Sequence, residues 1–272
     1  MPNLENNLIS TLKTKSDWVR LSTIEMVLNA GSGHLGGSFS VADILVSLLY
    51  HPELNFFEGH DKDRIILSKG HSSLSIYPIL ADKQLINIED LSNYNQSGSI
   101  LGGHPDTRVP GIEITTGSLG HGLSVACGIA LALKRSKKKS KIFAILGDGE
   151  CQEGSVWESA QFASHHHLNN LTVIVDNNGI SATDFTENTI NIEPLEKKWN
   201  SFGWDSMVIN GHSIEDLIKT LNKTPKTNKK PRALIAKTIK GKGVSFMENN
   251  PHFHHGLPNE KEIILAKKEL SS

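Results

Sequence analysis

A chain of 272 residues can bury a large core, as one α/β domain or as two small ones. Its 28 basic and 29 acidic residues leave a formal net charge of −1, which gives no electrostatic basis for binding nucleic acid or an acidic membrane surface. The polar beginning from Met1 to Asn7, the lack of an apolar run of bilayer length, and two distant cysteines without Cys-x-x-Cys spacing predict a cytoplasmic protein in a reducing compartment.

Residues up to Ala30 carry a helical pattern, with Leu4, Leu8 and Leu12 on one stripe and Leu21, Ile24 and Leu28 on another. They run into Gly31-Ser32-Gly33-His34-Leu35-Gly36-Gly37. The spacing Gly31-x-Gly33-x-x-Gly36 matches the dinucleotide fingerprint. It follows a helix rather than a strand, however, and no acidic residue ends a second strand about twenty residues on, so that reading is rejected. A glycine-dense turn presenting His34 is expected instead. A helix is predicted over 41–50, stopped by Pro52. Asp63-Arg64 leads into a short strand at 65–67, and Lys69-Gly70-His71 lies just past its end. His71 reads equally as an ordinary turn histidine or a functional one. Residues 97–122 form a loop rich in Gly, Pro and Thr, through Gly102-Gly103-His104-Pro105 and Thr116-Gly117-Ser118-Leu119-Gly120, whose apolar and glycine punctuation favours an ordered binding loop. A small-residue helix is expected over 123–135, with Cys127 as a small core residue, and then a solvated lysine-rich turn over 136–141.

The centre of the chain is a pair of apolar runs. Residues 142–146 stop at Gly147-Asp148-Gly149-Glu150, and residues 171–175 stop at Asp176-Asn177-Asn178-Gly179-Ile180. Two such runs bracketing one helix read as a βαβ unit with parallel, buried strands, whose ends open on the same sheet edge. Asp148 and Asn178 can meet there. A carboxylate, a carboxamide oxygen and turn carbonyls make a hard oxygen site suited to magnesium, and glycine-flanked amides left bare beside it suit a phosphate. Gly-Asp-Gly alone is more often a strand-turn-helix corner with an Asp cap; the Asn177-Asn178 pair one βαβ unit later favours the clamp. Cys151, beside this turn, sits where exposure is possible, with nothing to show that it reacts, and His165-His166-His167 reads as a polar helix end rather than a zinc site.

Beyond the clamp, the patterns predict a helix over 194–202, a strand over 204–209, a helix over 213–221 capped by Ser213, a polar loop over 225–231 and a strand over 233–236. Lys240-Gly241-Lys242-Gly243 lacks nucleotide P-loop spacing. The tail holds His252-Phe253-His254-His255-Gly256 and a final amphipathic helix. With no internal repeat and no linker, residues 1–272 are expected to form one α/β domain with a doubly wound, mostly parallel sheet flanked by helices.

Taken in order, Gly33-His34, Asp63-Arg64, Gly70-His71, Gly103-His104-Pro105, Thr116-Gly117-Ser118-Leu119-Gly120, Gly147-Asp148-Gly149 with Gln152-Glu153-Gly154, Asn177-Asn178 and His255-Gly256 resemble the N-terminal, diphosphate-binding domain of transketolases, over nearly the whole chain. The resemblance implies thiamine diphosphate as cofactor, with Mg2+ (or Ca2+ or Mn2+) on the Asp148 carboxylate, the Asn178 side chain and the Ile180 carbonyl. It implies that His71, Gly149 and Asn178 contact the diphosphate, that Gly117, Ser118 and Leu119 hold the ring region, and that His255 lies near diphosphate and substrate. His34 and His104 would line the substrate channel and assist proton transfer, for which imidazole is suited near neutral pH. Glu153 would join a carboxylate network between two sites, although a glutamate opening a helix also complements its dipole. Leu35 stands where many members carry proline, and the crowded His252-Phe253-His254-His255 tail leaves the register of His255 open by one position.

In the family, the glutamate that protonates the cofactor's aminopyrimidine ring lies on a following domain, and this sequence has none. The resemblance therefore implies a split transketolase, whose site a separate C-terminal subunit completes, in an α2β2 assembly. The chemistry implied is transfer of a two-carbon ketol unit between sugars. The α subunit of a 2-oxoacid dehydrogenase shares the Gly-Asp-Gly clamp but not the His34, His71 and His104 set. Deoxyxylulose-phosphate synthase shares clamp and loop, yet Leu67-Ser68-Lys69-Gly70-His71 reads as transketolase. A non-catalytic thiamine diphosphate-binding subunit is the remaining alternative.

Overall fold

A computed structural model describes residues 2–223 and 229–271. Most of the predicted 225–231 loop, and the Leu4 side chain, lie outside the described residues. The chain begins with α1 (Pro2–Ala30) and α2 (Leu35–Leu49), then β1 (Arg64–Leu67) and α3 (Ile76–Asp82). A long irregular stretch leads to α4 (His121–Arg135), β2 (Ile142–Gly147), α5 (Gly154–His165) and β3 (Leu171–Asn177). There follow α6 (Thr186–Thr189), α7 (Leu195–Ser201), β4 (Asp205–Asn210), α8 (Ile214–Asn222), β5 (Arg232–Lys237) and α9 (Glu260–Leu270).

The five strands form one sheet in the order β1-β2-β3-β5-β4, and every pairing is parallel. Parallel strands need crossovers, so helices cover both faces and the central strands have no polar side. β2 and β3 are accordingly buried at every position. Successive strand residues then feed opposite cores. Phe143, Ile145, Ile174 and Leu234 join the larger core under α1, α2, α3, α8 and α9; Ile142, Ala144, Leu146, Val173, Val175 and Ile235 join the other, with Leu123 and Ala126 of α4, Val156 and Ala160 of α5 and Trp199 of α7.

Two sequence expectations change and one open reading closes. α2 starts at Leu35, not near Val41, so Gly36 and Gly37 are helical rather than part of a turn. They are small because neighbours press on them: a Cβ at Gly36 would sit 3.0 Å from Lys240 Cγ and 3.1 Å from the Phe253 carbonyl, and one at Gly37 would sit 3.2 Å from His71 Nε2. β3 does not stop at Asp176, since Asp176 and Asn177 pair in register with Ala236 and Lys237. Cys151 is fully buried against the α5 side of the sheet, like Cys127, and its thiol is pushed up well above its ordinary value by burial.

The long stretch before α4 is held in place. Tyr77 donates to the carbonyls of Gly102 (2.9 Å) and His104 (3.0 Å), and Thr116 Oγ1 donates to Leu67 O (2.8 Å). At the start of α4, Gly122 lies directly on the residue that follows β1: a Cβ there would be 2.6 Å from Ser68 Cβ and 2.9 Å from Ser68 Cα. Gly122→Ala should therefore lower stability by about 1–3 kcal/mol, the overpacking cost exceeding the gain in helix propensity of about 1 kcal/mol. Urea denaturation checks this, and a variant as stable as the parent would mean that α4 can back away from the strand.

Candidate active site

In an all-parallel sheet, the carboxyl ends of the strands share one edge, and ligands bind in the crevice there. A cleft of about 480 Å³ opens at that edge, lined by Lys69 and His71 past β1, Asp148, Gly149 and Glu150 past β2, Asn178 and Ile180 past β3, and Lys240 past β5. The irregular stretch adds Gly117 and Leu119, α2 adds Gly37, and the tail adds His254.

Beneath the cleft lies Asp176, a buried residue near the end of β3. It accepts from Ser40 Oγ of α2 (2.6 Å), Thr238 Oγ1, Asn178 Nδ2 (3.3 Å) and the Lys69 ammonium, whose side chain is 1% exposed. Burial alone would raise its pKa; the Lys69 charge and these donors hold it below the usual carboxylate value. Lys69 also donates to Gly37 O (3.1 Å), so the residues after β1 and the first turn of α2 are tied to the same carboxylate.

Asp148 accepts from Gly149 N (2.8 Å) and Gly179 N (2.5 Å), which brings the two halves of the sequence clamp together. Burial first, and the Asp176 carboxylate second, push its pKa up to about 6 against the pull of those amides. Asn178 Oδ1 accepts from Ile180 N (3.1 Å), which fixes the turn that carries the Ile180 carbonyl. That carbonyl and Ser181 O accept from Lys240 Nζ, at 3.3 and 2.6 Å. Asp148, Asn178 and Ile180 thus line one cavity with oxygen donors, the set a hard divalent cation takes, and an ammonium already sits against the Ile180 oxygen.

Two details of the clamp differ from expectation. Asn177 takes no part: its Nδ2 donates to Glu193 Oε1 (2.9 Å), because alternate residues of an extended strand face opposite sides. The amides around Asp148 are not bare, since Gly147 N donates to Glu150 Oε2 (3.1 Å) and Gly149 N to Asp148 Oδ1. Glu150 is a second buried carboxylate of this turn. It also accepts from Gly120 N (2.9 Å) and Ser68 Oγ, which joins the binding loop to β1 and β2, while burial raises its pKa. Glu153 is exposed at the N-cap of α5 and lines the cleft.

The histidines converge. His34, just before α2, has its ring centroid 5.5 Å from His71, 5.9 Å from His104, 5.2 Å from His254 and 4.2 Å from His255. Burial, and then the neighbouring His255, His104 and Lys240, lower the pKa of His34 to about 4. Burial and Lys69 lower that of His71, and burial lowers that of His104. Gly117, with φ of +144°, passes so close to His104 that a Cβ would lie 3.0 Å from its Cδ2. Ser118 turns instead to His121, its Oγ 3.3 Å from Nδ1. Both members of the ambiguous tail pair reach the cluster: His254 is buried with Lys240 Nζ 3.0 Å from its Nδ1, and His255 is exposed.

Residues 12–271 match the family model of the transketolase thiamine diphosphate-binding domain. The chain belongs to the transketolase family. It is 40% identical over 267 residues to one named subunit of the apulose-4-phosphate transketolase of Phocaeicola vulgatus, covering 97% of this chain and 95% of that one. It is 37% identical to the 6-deoxy-6-sulfo-D-fructose transketolase subunit SqwG of a Clostridium species, covering 95% of this chain and 96% of the relative. The crystal structure of Campylobacter jejuni transketolase superposes with a TM-score of 0.90 at 33% identity, over 97% of this chain and 43% of that enzyme's length. The chain is thus a transketolase-type thiamine diphosphate-binding domain, similar along its length to single subunits of transketolases that are named by subunit. Among the described residues, no helix is long and apolar enough to cross a membrane.

Asp176, Lys69, Glu150 and Lys240 were not singled out by sequence reasoning. The available signal was positional, a charged residue directly beyond a buried parallel strand, where it must find a partner. Lys69→Met should destabilise the fold by about 3–5 kcal/mol, because it strands the Asp176 carboxylate, and Lys69→Met with Asp176→Leu should recover much of that loss. Chemical denaturation of the two variants checks this. A double variant no more stable than the single one would show that the pair is not the unit of stabilisation.

Proposed function

We propose that this chain is the thiamine diphosphate-binding subunit of a two-subunit transketolase, which moves a two-carbon ketol unit from a ketose, or ketose phosphate, to an aldose acceptor. The observation that carries the reading is the meeting, in one cleft, of the oxygen donors Asp148, Asn178 and Ile180 with the imidazoles of His71 and His254, against which His34 packs. Mg2+, or Ca2+ or Mn2+ in its place, would be held by the Asp148 carboxylate, the Asn178 carboxamide and the Ile180 carbonyl. His71, Gly149 and Asn178 would contact the diphosphate, and Gly117, Ser118 and Leu119 would hold the ring end. When bound, thiamine diphosphate supplies the carbanion that accepts and releases the two-carbon unit.

The chain's own residues orient the sugar and exchange protons. His34 and His104 have lowered pKa values, so near neutral pH each is a neutral imidazole, with one nitrogen to donate and one to accept. Such a pair can bond sugar hydroxyls and take or return a proton. His255, on the open side of the cluster, meets the substrate first. Glu153, at the rim of the cleft, is placed to join a carboxylate network with a partner. The bacterial relatives that are themselves named as subunits support a separate partner chain that carries the pyrimidine-binding domain and its catalytic glutamate, in an α2β2 enzyme of the cytoplasm acting in carbohydrate metabolism, of pentose phosphates or sugars like them.

Co-expression with a candidate second subunit, followed by a ketol-transfer assay with xylulose 5-phosphate and ribose 5-phosphate, tests the proposal. Activity is expected from the pair and from neither chain alone, and full activity of this chain by itself would overturn the need for a partner. Binding without activity in any pairing with ketose donors would favour a regulatory role. Asp148→Ala should abolish Mg2+-dependent binding of thiamine diphosphate in calorimetry, and an unchanged affinity would sink the assignment of the clamp.

A further inference from the structure

The donor atoms of this cleft fall into two chemical groups. The oxygens of Asp148, Asn178 and Ile180 line it together, while ring nitrogens gather where His254, itself part of the lining, meets His34 and His255. One ring nitrogen each from His34, His254 and His255 falls within 4.8 Å of the other two. His34 Nδ1 is buried and has no hydrogen-bond partner among the described residues. An orphaned, buried ring nitrogen beside two more imidazoles is a preassembled nitrogen-donor site.

We propose that His34, His254 and His255 form a second metal site, taking a borderline divalent transition ion such as Zn2+ and leaving one position open to water or a sugar oxygen. Three imidazoles and an open fourth position are a common arrangement for Zn2+, whereas Mg2+ prefers oxygen and does not compete for such ligands. Metal–nitrogen bonds of about 2.0–2.1 Å place ligand nitrogens about 3.3 Å apart, so the cluster must close by about 1.5 Å. The exposed His255 ring is free to supply much of that movement. Where His254 binds through the Nδ1 that Lys240 now touches, Lys240 must release it, and it is not stranded by doing so, because the Ser181 and Ile180 carbonyls still accept from it. An ion bound here would stand in the channel that the proposed function gives to the sugar, and would act as an inhibitor. That consequence rests on the functional reading; the binding site itself does not.

The test uses the full chain in saturating Mg2+, titrated with Co2+ as a spectroscopic stand-in for Zn2+. The expected result is the intense visible absorption of four-coordinate Co2+, displaced by Zn2+. Asp148→Ala and the triple variant His165→Ala, His166→Ala, His167→Ala should keep that spectrum, since the oxygen clamp and the helix-end triplet lie outside the site. His255→Ala, a change at an exposed position that spares the core, should weaken Co2+ binding tenfold or more, and His34→Ala likewise. Even partners that only support a metal ligand are worth about 10–100-fold. The proposal is overturned by a pale six-coordinate spectrum, by loss of the signal in saturating Mg2+ or in the triplet variant, or by its survival in both His255→Ala and His34→Ala. A Co2+ site that forms in a chain without ketol-transfer activity in any pairing would leave the metal site standing and remove only its inhibitory role.

Discussion

One buried carboxylate holds the active cleft in shape. Asp176 is completely buried, a position that a charge occupies only when it is paired and hydrogen-bonded. Its partners come from four places in the chain: Lys69 after β1, Ser40 in α2, Thr238 after β5 and Asn178 in the clamp itself. Each of these contacts fixes the start of a segment that contributes to the cleft. Lys69 sets His71, Ser40 sets the helix that begins beside His34, Thr238 sets Lys240, and Asn178 sets the Ile180 carbonyl. The isolated buried pair would be a weak source of stability, but as a four-way junction it specifies which segments meet.

The charge arrangement around that junction prepares the cleft for a cation and an anion together. Asp148, Asp176 and Glu150 are buried acids; Lys69 and Lys240 are buried bases. Lys69 is committed to Asp176, which leaves Asp148 as the carboxylate held by backbone amides alone. Its pKa is raised for the reason that makes it a good cation ligand: it is a desolvated negative group next to a second one. Lys240 lies across the cleft, with burial bringing its pKa down to about 8. Its ammonium, resting on the Ile180 and Ser181 carbonyls, supplies positive charge where a diphosphate would need it.

What could be read from the sequence follows from the range of the interactions concerned. The central strands were legible because a parallel, doubly covered strand is a continuous apolar run, and Asp148 and Asn178 were legible because one βαβ unit places both strand ends on one edge. The convergence of His34, His71 and His104 came with a family resemblance, not from spacing. Local pattern misled at Gly36 and Gly37, where glycine signals close approach inside a helix and not a turn; the pressing atoms belong to Lys240, Phe253 and His71, far away in the chain. The burial of Cys151 was not legible for a similar reason, since a residue beside a glycine turn can point either outward or into the core. The Lys69–Asp176 pair spans 107 residues, and no window of sequence contains both partners. Which of two adjacent histidines enters a site is likewise decided by tertiary packing; here His254 is buried and His255 stays at the open side of the same cluster.

That shared cluster connects the fold to the chemistry. The rings of His71, His104 and His254 lie within about 6 Å of His34, and the burial that draws these four together favours their neutral forms. Neutral imidazoles donate and accept at once, which suits a polyhydroxylated substrate better than a fixed charge would. The same neutrality leaves lone pairs free, so the features that would suit the cluster to the proposed sugar would also suit it to the proposed transition ion. The oxygen donors a few residues beyond the other strand ends carry the complementary preference. In the two proposed assignments, selectivity between a hard and a borderline cation would be set by position, through the donor atoms that the parallel sheet edge and the histidine-bearing segments each present.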